Sequence, residues 1–223
     1  MSADSSGPDV DYATVTLGGI DVCFTEDLDG GGGRYGQDYV GFVARELDRP
    51  FGRTFEWCAG PGFIGFSLLG HGLTETLCLA DVNPAAIDAC NETIRRNGLE
   101  GRVDVYLSDG LDAMPATEQW DLVVGNPPHS GSDEVRPEIK RPLAIYQDAG
   151  WKIHENFYAA VGAHLAPGAQ VVIQENLRFS TVDTFAQMLA SNGLELVAAP
   201  VCETPAGNTL YYYVWSIAKR EVA

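Results

Sequence analysis

From Arg53 onward, strand-length apolar runs alternate with helix-length amphipathic stretches, and this alternation constrains the fold more than any single motif. The runs 54–57, 75–80, 103–107, 120–124 and 170–174 read as strands. The stretches 63–69, 84–97, 148–165 and 182–191 read as helices, and 194–201 and 209–217 as two closing strands. Strands separated by helices can pair only in parallel, with the helices covering both faces of one sheet. The closing strands have no helix between them and are expected to form an antiparallel hairpin. Seven strands on these terms make an α/β sheet that is mostly parallel and antiparallel only at its C-terminal edge.

The chain before Arg53 follows a different pattern. Met1–Asp11 is small, polar and acidic, without a signal peptide's basic and apolar regions, and reads as a disordered tail. Ala13–Leu17 and Ile20–Thr25 alternate around Gly18-Gly19, a hairpin signal. Four glycines at 30–33 imply a mobile loop, and 35–47 has helical spacing that puts Tyr39, Phe42, Val43 and Leu47 on one side. The expected organisation is a tail over 1–11, a substrate-side extension over 12–50 and one main domain over 51–223. Tyr35, Gln37 and Asp38 are candidates for a lid.

Lys and Arg number 14 against 31 Asp and Glu, so the net charge is −17. A phosphate-backbone partner calls for clustered cations; here only Arg95-Arg96 and Arg136 with Lys140-Arg141 cluster, which argues against nucleic acid. Five cysteines (Cys23, Cys58, Cys78, Cys90, Cys202) are odd in number, widely spaced and lack any CxxC pair. They are expected to be free thiols in a cytoplasmic protein that holds no metal. No apolar run reaches transmembrane length, so no membrane partner is expected. The sequence does not address the oligomeric state.

Two segments carry chemistry. Glu56-Trp57-Cys58-Ala59-Gly60-Pro61-Gly62-Phe63-Ile64-Gly65 joins the first strand of the alternating region to its helix. Glycines there let backbone approach a ligand beside helix N-terminal amides. Asp81 ends the next strand, where an acid can accept bonds from ribose hydroxyls. The glycine spacing also fits a dinucleotide, so this segment points to a nucleoside without choosing the cofactor.

The second segment is Asn126-Pro127-Pro128-His129, at the end of the fourth strand of that region. Two consecutive prolines hold a rigid turn at the sheet's carboxyl edge. A planar nitrogen is a poor nucleophile because its lone pair is delocalised. An Asn126 side-chain oxygen and a Pro127 carbonyl that accept its two N–H groups would turn the lone pair toward an electrophile. The ring of His129 could stack on a planar acceptor or take the released proton.

Together these segments resemble class I S-adenosylmethionine methyltransferases that carry an (Asn/Asp/Ser)-Pro-Pro-aromatic motif, among them the adenine-N6 and release-factor glutamine methyltransferases. The resemblance covers about 51–217. It implies a Rossmann-like seven-stranded sheet and an N-methyltransferase. The cofactor would be S-adenosylmethionine, leaving as S-adenosylhomocysteine. It implies cofactor contacts from Glu56, Cys58, Gly60 and Gly62, from Asp81 and Asn83, from Asp109 and Gly110, and from Asn126, with Asn126, Pro127, Pro128 and His129 at the transfer step. Cys58 stands where the family has a glycine, and His129 where it has Tyr, Phe or Trp. The acidity favours a small molecule, an amino-acid derivative or a peptide or protein side chain as the acceptor. An NAD(P)-dependent oxidoreductase explains the glycines but not the Asn-Pro-Pro turn; a non-catalytic binding module explains neither. Residues 151–158 put aromatics at helical spacing, as a core helix would, and Gln174-Glu175-Asn176 ends a strand at the same sheet edge.

Overall fold

The structure, a computed structural model, describes residues 10–28, 32–134, 143–202 and 210–219. The tail over 1–9, Gly30 and Gly31, and Arg136, Lys140 and Arg141 lie outside the described residues. A two-stranded ribbon, β1 (Ala13–Leu17) and β2 (Ile20–Phe24), precedes α1 (Gly32–Phe42), which closes in a wider turn over Val43–Leu47. Then follow β3 (Phe51–Trp57), α2 (Phe63–Gly70), β4 (Thr74–Asp81), α3 (Pro84–Asn97), β5 (Val103–Leu107) and β6 (Trp120–Gly125). The chain ends with α4 (Leu143–Tyr146), α5 (Lys152–Val161), β7 (Leu165–Asn176), α6 (Val182–Ser191), β8 (Leu194–Ala198) and β9 (Tyr211–Ala218).

Strand order in the large sheet is β5-β4-β3-β6-β7-β9-β8, with β9 antiparallel to both neighbours. The expected seven-stranded, mostly parallel sheet is therefore present, and its last strand is inserted between β7 and β8. The chain builds outward from β3 to β5, then returns to β6 on the other side of β3. This reversal opens a crevice at the carboxyl ends of β3 and β6, where open α/β sheets take ligands.

Parallel strands covered on both faces need apolar residues throughout, and Leu122, Val123 and Val124 of β6 are completely buried. One face packs Trp57, Val123, Phe157, Tyr158 and Phe185 beneath α5 and α6. The other packs Phe66, Leu77 and Ile94 beneath α2 and α3, with Leu17, Ile20 and Val22 of the ribbon laid over them. Gly18 and Gly19, at φ 56° and 87°, supply the double left-handed turn that a two-residue hairpin requires. The ribbon is tied to α3 by the Cys23 N–H donating to Thr93 Oγ1 (2.8 Å) and the Asp21 N–H donating to Asn97 Oδ1 (2.9 Å). Tyr39 and Phe42 of α1, and Val43 just after it, are buried against the same face, as their spacing implies.

Several boundaries differ from the sequence reading. β3 starts at Phe51, which pairs with Thr74. Gly32 and Gly33 already belong to α1. The helix read from Asp148 begins at Lys152, because Gly150 (φ 63°) and Trp151 (φ 60°) are left-handed and block an earlier start. Its last residue, Leu165, instead pairs with Trp120 across an irregular register and lengthens β7.

Candidate active site

The crevice is a cavity of about 840 Å³, within the range of small-molecule and cofactor sites. Its walls include Glu56, Cys58, Gly60, Asp81, Asn83, Asp109, Gly110, Asn126, Pro127, Pro128 and His129. Eleven of the twelve residues singled out in the sequence therefore meet in one place. Gly62 is absent from the wall. Its φ of 80° and the Phe66 ring, 2.8 Å from where a Cβ would sit, make glycine necessary there for packing rather than for ligand approach.

The glycine turn is held by two acids. Glu56 is buried, and its carboxyl oxygens accept the Ile64 N–H (3.3 Å) and the Gly65 N–H (2.6 Å) at the start of α2. Burial raises its pKa to about 8, more than those amide bonds lower it. Asp81 accepts the Gly60 N–H (2.7 Å) on one oxygen and the Asn83 N–H (2.8 Å) on the other. Burial raises its pKa as well, against these same bonds. Asn83 is the N-cap of α3, its Oδ1 accepting the Ala85 N–H (3.1 Å), with Pro84 at the first helical position and Gly98 at the far end. The Gly62 N–H is taken by the Ala59 carbonyl. The amides of Gly60, Gly62, Ile64 and Gly65 thus all have partners within the chain. A pyrophosphate, which binds a helix N-terminus through such amides, would find them occupied and a buried acid beside it.

Cys58 has φ 52°, the left-handed backbone a glycine would adopt, so the turn keeps its shape despite the substitution. The buried Tyr39 hydroxyl lies 2.7 Å from the Gly125 carbonyl and 2.9 Å from that of Val172. It fixes the backbone immediately before Asn126. Asn126 Oδ1 is buried and has no hydrogen-bond partner. A buried acceptor left open costs on the order of 1–3 kcal/mol, so it is poised for an incoming donor. The His129 ring stands 5.8 Å from that of Tyr211.

Gln37 and Asp38 are not on the cavity wall, and Asp38 is buried, which does not fit a lid at these two residues; the Tyr35 side chain lies outside what the structure describes. Among the described residues Leu28, between the ribbon and α1, is the extension's contribution to the wall. Residues 151–158 do supply core aromatics, but His154 among them is bonded at both ring nitrogens by acids: Asp148 at 2.6 Å and Glu175 at 2.8 Å. The sequence reading missed His154 and Asp148 as a polar pair. The available signal was two ionisable residues flanking the start of an otherwise apolar helix face. Tyr211 and Phe179 also reach the wall and were missed; Asn176 reaches it, while Gln174 is buried against Cys202. All five cysteines are free.

A sheet reversing between β3 and β6, with an acid-tethered glycine turn on one strand end and a rigid Asn-Pro-Pro turn on the next, defines the class I methyltransferase architecture. Residues 41–191 match the Methyltransferase small domain family, and the chain belongs to that family. It is 28% identical over 141 residues to a release factor glutamine methyltransferase of Cereibacter sphaeroides, covering 60% of this chain and 50% of that protein. It is 29% identical over 128 residues to a ribosomal RNA small subunit methyltransferase C of Pseudomonas entomophila, covering 57% of this chain and 33% of that protein. The chain thus spans half or less of the curated relatives it matches here. In fold it is similar to a T. thermophilus 16S rRNA guanine-N2 methyltransferase in complex with AdoMet and guanosine. That likeness has a TM-score of 0.62 at 15% identity and covers 94% of this chain and 50% of that one. Because rRNA enzymes stand among the relatives, net charge alone does not remove nucleic acid from the acceptors to be considered.

Proposed function

We propose that this protein methylates a planar nitrogen, a side-chain amide or an exocyclic ring amine, with S-adenosylmethionine as the methyl donor. The observation that carries the reading is the buried, unpartnered Oδ1 of Asn126 on the wall of the cavity that Asp81 and the glycine turn also line. The residues present fit that donor. Asp81 takes the Gly60 and Asn83 N–H groups on different oxygens, which leaves lone pairs for ribose hydroxyls. Asp109 and Gly110 follow β5 on the side where adenine would lie. The Gly60, Gly62, Ile64 and Gly65 amides are already taken and Glu56 lies beside them, which disfavours a pyrophosphate and with it the oxidoreductase reading. When bound, the donor supplies a sulfonium-activated methyl group.

Asn126 Oδ1 and the Pro127 carbonyl accept the two N–H groups of the acceptor. This orients the nitrogen lone pair and stabilises positive charge as it develops. The buried prolines keep both acceptors in place with little entropy left to lose. His129 and Tyr211 flank the acceptor's plane. The −17 charge favours a protein or peptide amide over RNA, and five unpaired thiols favour a cytoplasmic setting.

The test is calorimetric titration with S-adenosylhomocysteine, with NAD as the control, followed by methyl transfer to a release factor and to an rRNA fragment. Binding of the homocysteine analogue alone is expected, and binding of NAD alone would overturn the reading. Asn126→Ala should lower transfer about 100-fold or more while binding the analogue within a few-fold of the parent. Full activity in that variant would sink the role given to Asn126. Transfer to the rRNA fragment and not to the release factor would reverse the choice of acceptor.

A further inference from the structure

Beneath the Asn-Pro-Pro turn, four ionisable side chains from four segments touch in a row. Asp148 Oδ2 lies 2.6 Å from His154 Nδ1, His154 Nε2 lies 2.8 Å from Glu175 Oε1, and Glu175 Oε2 lies 3.4 Å from His129 Nδ1. Asp148, His154 and Glu175 are buried at 1%, 0% and 0% exposure, and His129 opens onto the cavity. Asp148 is fixed by the Ile153 and His154 N–H groups at the head of α5. The rings of Trp57, Trp151 and Phe185 pack around His154. Among the described residues no lysine or arginine bonds to either acid, and no three such side chains converge on a point that could hold a metal ion. The other ionisable groups facing the row are Cys58, Tyr158 and Tyr212, all pushed up by burial and so uncharged near neutrality.

The donor inventory fixes the protons. An ionised carboxylate only accepts, and a neutral imidazole carries one N–H. His154 has an acid oxygen at each nitrogen, so the Asp148–His154–Glu175 group holds one proton more than a neutral ring between two carboxylates, and its net charge is −1. Burial alone would push His154 down, but Glu175 and Asp148 outweigh it and raise it to about 9. Glu175 is held below its ordinary range because His154 and His129 outweigh its burial. Facing an acceptor-only Glu175 at 3.4 Å, a neutral His129 places its N–H on Nδ1. Its Nε2 is then a free lone pair, and no described residue bonds to it.

We propose that Asp148, His154 and Glu175 form a positioning relay that holds His129 with Nδ1–H on Glu175 and Nε2 toward the cavity, so that His129 takes the proton the acceptor nitrogen loses on methylation. This rests on the methyl-transfer reading. The nitrogen lone pair becomes the new N–C bond, and the S–C pair returns to sulfur. Methylation makes the nitrogen tetrahedral, and one of its two N–H protons then leaves its Asn126 or Pro127 acceptor and passes to His129 Nε2. The imidazolium so formed points its Nδ1–H at a carboxylate in a site of net charge −1, and the 3.4 Å contact should shorten as that charge appears.

The chain has four histidines, so long-range proton–nitrogen NMR of the full protein can read every ring. At pH 7.5, His154 is expected to be protonated on both nitrogens and His129 to be the Nδ1–H tautomer. Glu175→Gln should move the His154 midpoint down by about one pH unit or more and leave His129 a mixture of tautomers. A neutral His154 or an Nε2–H His129 in the parent protein would overturn the relay, and so would a Glu175→Gln spectrum that does not change. If that variant does not fold, the parent spectra and His154→Gln carry the same decision through the His129 tautomer. His129→Gln should slow transfer to whichever acceptor is turned over by about 10²- to 10⁴-fold, with S-adenosylhomocysteine affinity held within a few-fold; unchanged turnover refutes the proton-acceptor role. Titrating the same samples with S-adenosylhomocysteine separates the two readings. No binding by the parent protein sinks methyl transfer and leaves the relay standing, whereas binding with the wrong tautomers sinks only the relay.

Discussion

Single residues in the glycine turn show how local strain and buried charge hold the site. Cys58 sits at φ 52°, a conformation that costs a side-chain-bearing residue about 1–2 kcal/mol. Cys58→Gly should therefore leave stability within about 1 kcal/mol of the parent, because relieved strain offsets the added freedom of the unfolded chain. Cys58→Val, β-branched at positive φ, should cost about 2 kcal/mol or more. Urea midpoints of the two variants test this, and equal stabilities would refute it. Glu56 gives a pH test. Its folded pKa of about 8 lies above the ordinary 4.5, so folding takes up a proton between those values. Its contribution to stability is fully present below pH 4.5 and is lost as pH rises through 8, with a slope of at most about 1.4 kcal/mol per pH unit. Glu56→Gln should flatten that part of the stability–pH curve, and a slope unchanged by the substitution would mean another group sets it.

At the scale of elements, α1 belongs to the site although none of its described side chains lines it. The Tyr39 hydroxyl reaches from α1 to the Gly125 carbonyl at the end of β6 and the Val172 carbonyl within β7. Tyr39→Phe should lower stability by about 1–2 kcal/mol. It should also loosen the turn at Asn126, so that transfer falls more than S-adenosylhomocysteine affinity; a variant with parental turnover would show that the turn does not depend on this anchor. The parallel strands could be read from sequence because β4 and β6 are apolar on both faces, and α3 because Pro84 and Gly98 mark its ends. The start of α5 could not, because Trp151 gives no hint in sequence that its backbone is left-handed. Nor could the role of Gly62 be read, since its requirement comes from the Phe66 ring one helical turn on. The twin turns of the cavity were visible as motifs. The row behind His129 was not, because Asp148, His154 and Glu175 meet only when α5 is laid across the end of β7.

For the whole molecule, the charge is the dominant unspent feature. With 31 acids against 14 Lys and Arg, like charges face each other over much of the surface. Self-repulsion of that kind weakens the compact state until salt screens it. The screening length falls from about 30 Å at 0.01 M to about 3 Å at 1 M salt, so thermal stability should rise across that range. Each kcal/mol of repulsion relieved raises the midpoint by about 2–4 °C for a chain of this size. Exposed ion pairs among the described residues, such as Arg95 with Glu92 and Lys152 with Glu155, weaken in salt but contribute little individually. A midpoint that falls between low and high salt would mean those pairs outweigh the net repulsion. The same charge bears on the acceptor. An RNA-binding surface that replaced many phosphate counterions would lose affinity steeply with salt, in proportion to the phosphates it neutralises. If a protein amide is the acceptor, as proposed, the Michaelis constant for the release factor should depend only weakly on salt, and any rRNA binding should be weak throughout. Tight rRNA binding with a slope worth several phosphates would place the missing cations on a surface outside the described residues and move the acceptor to RNA.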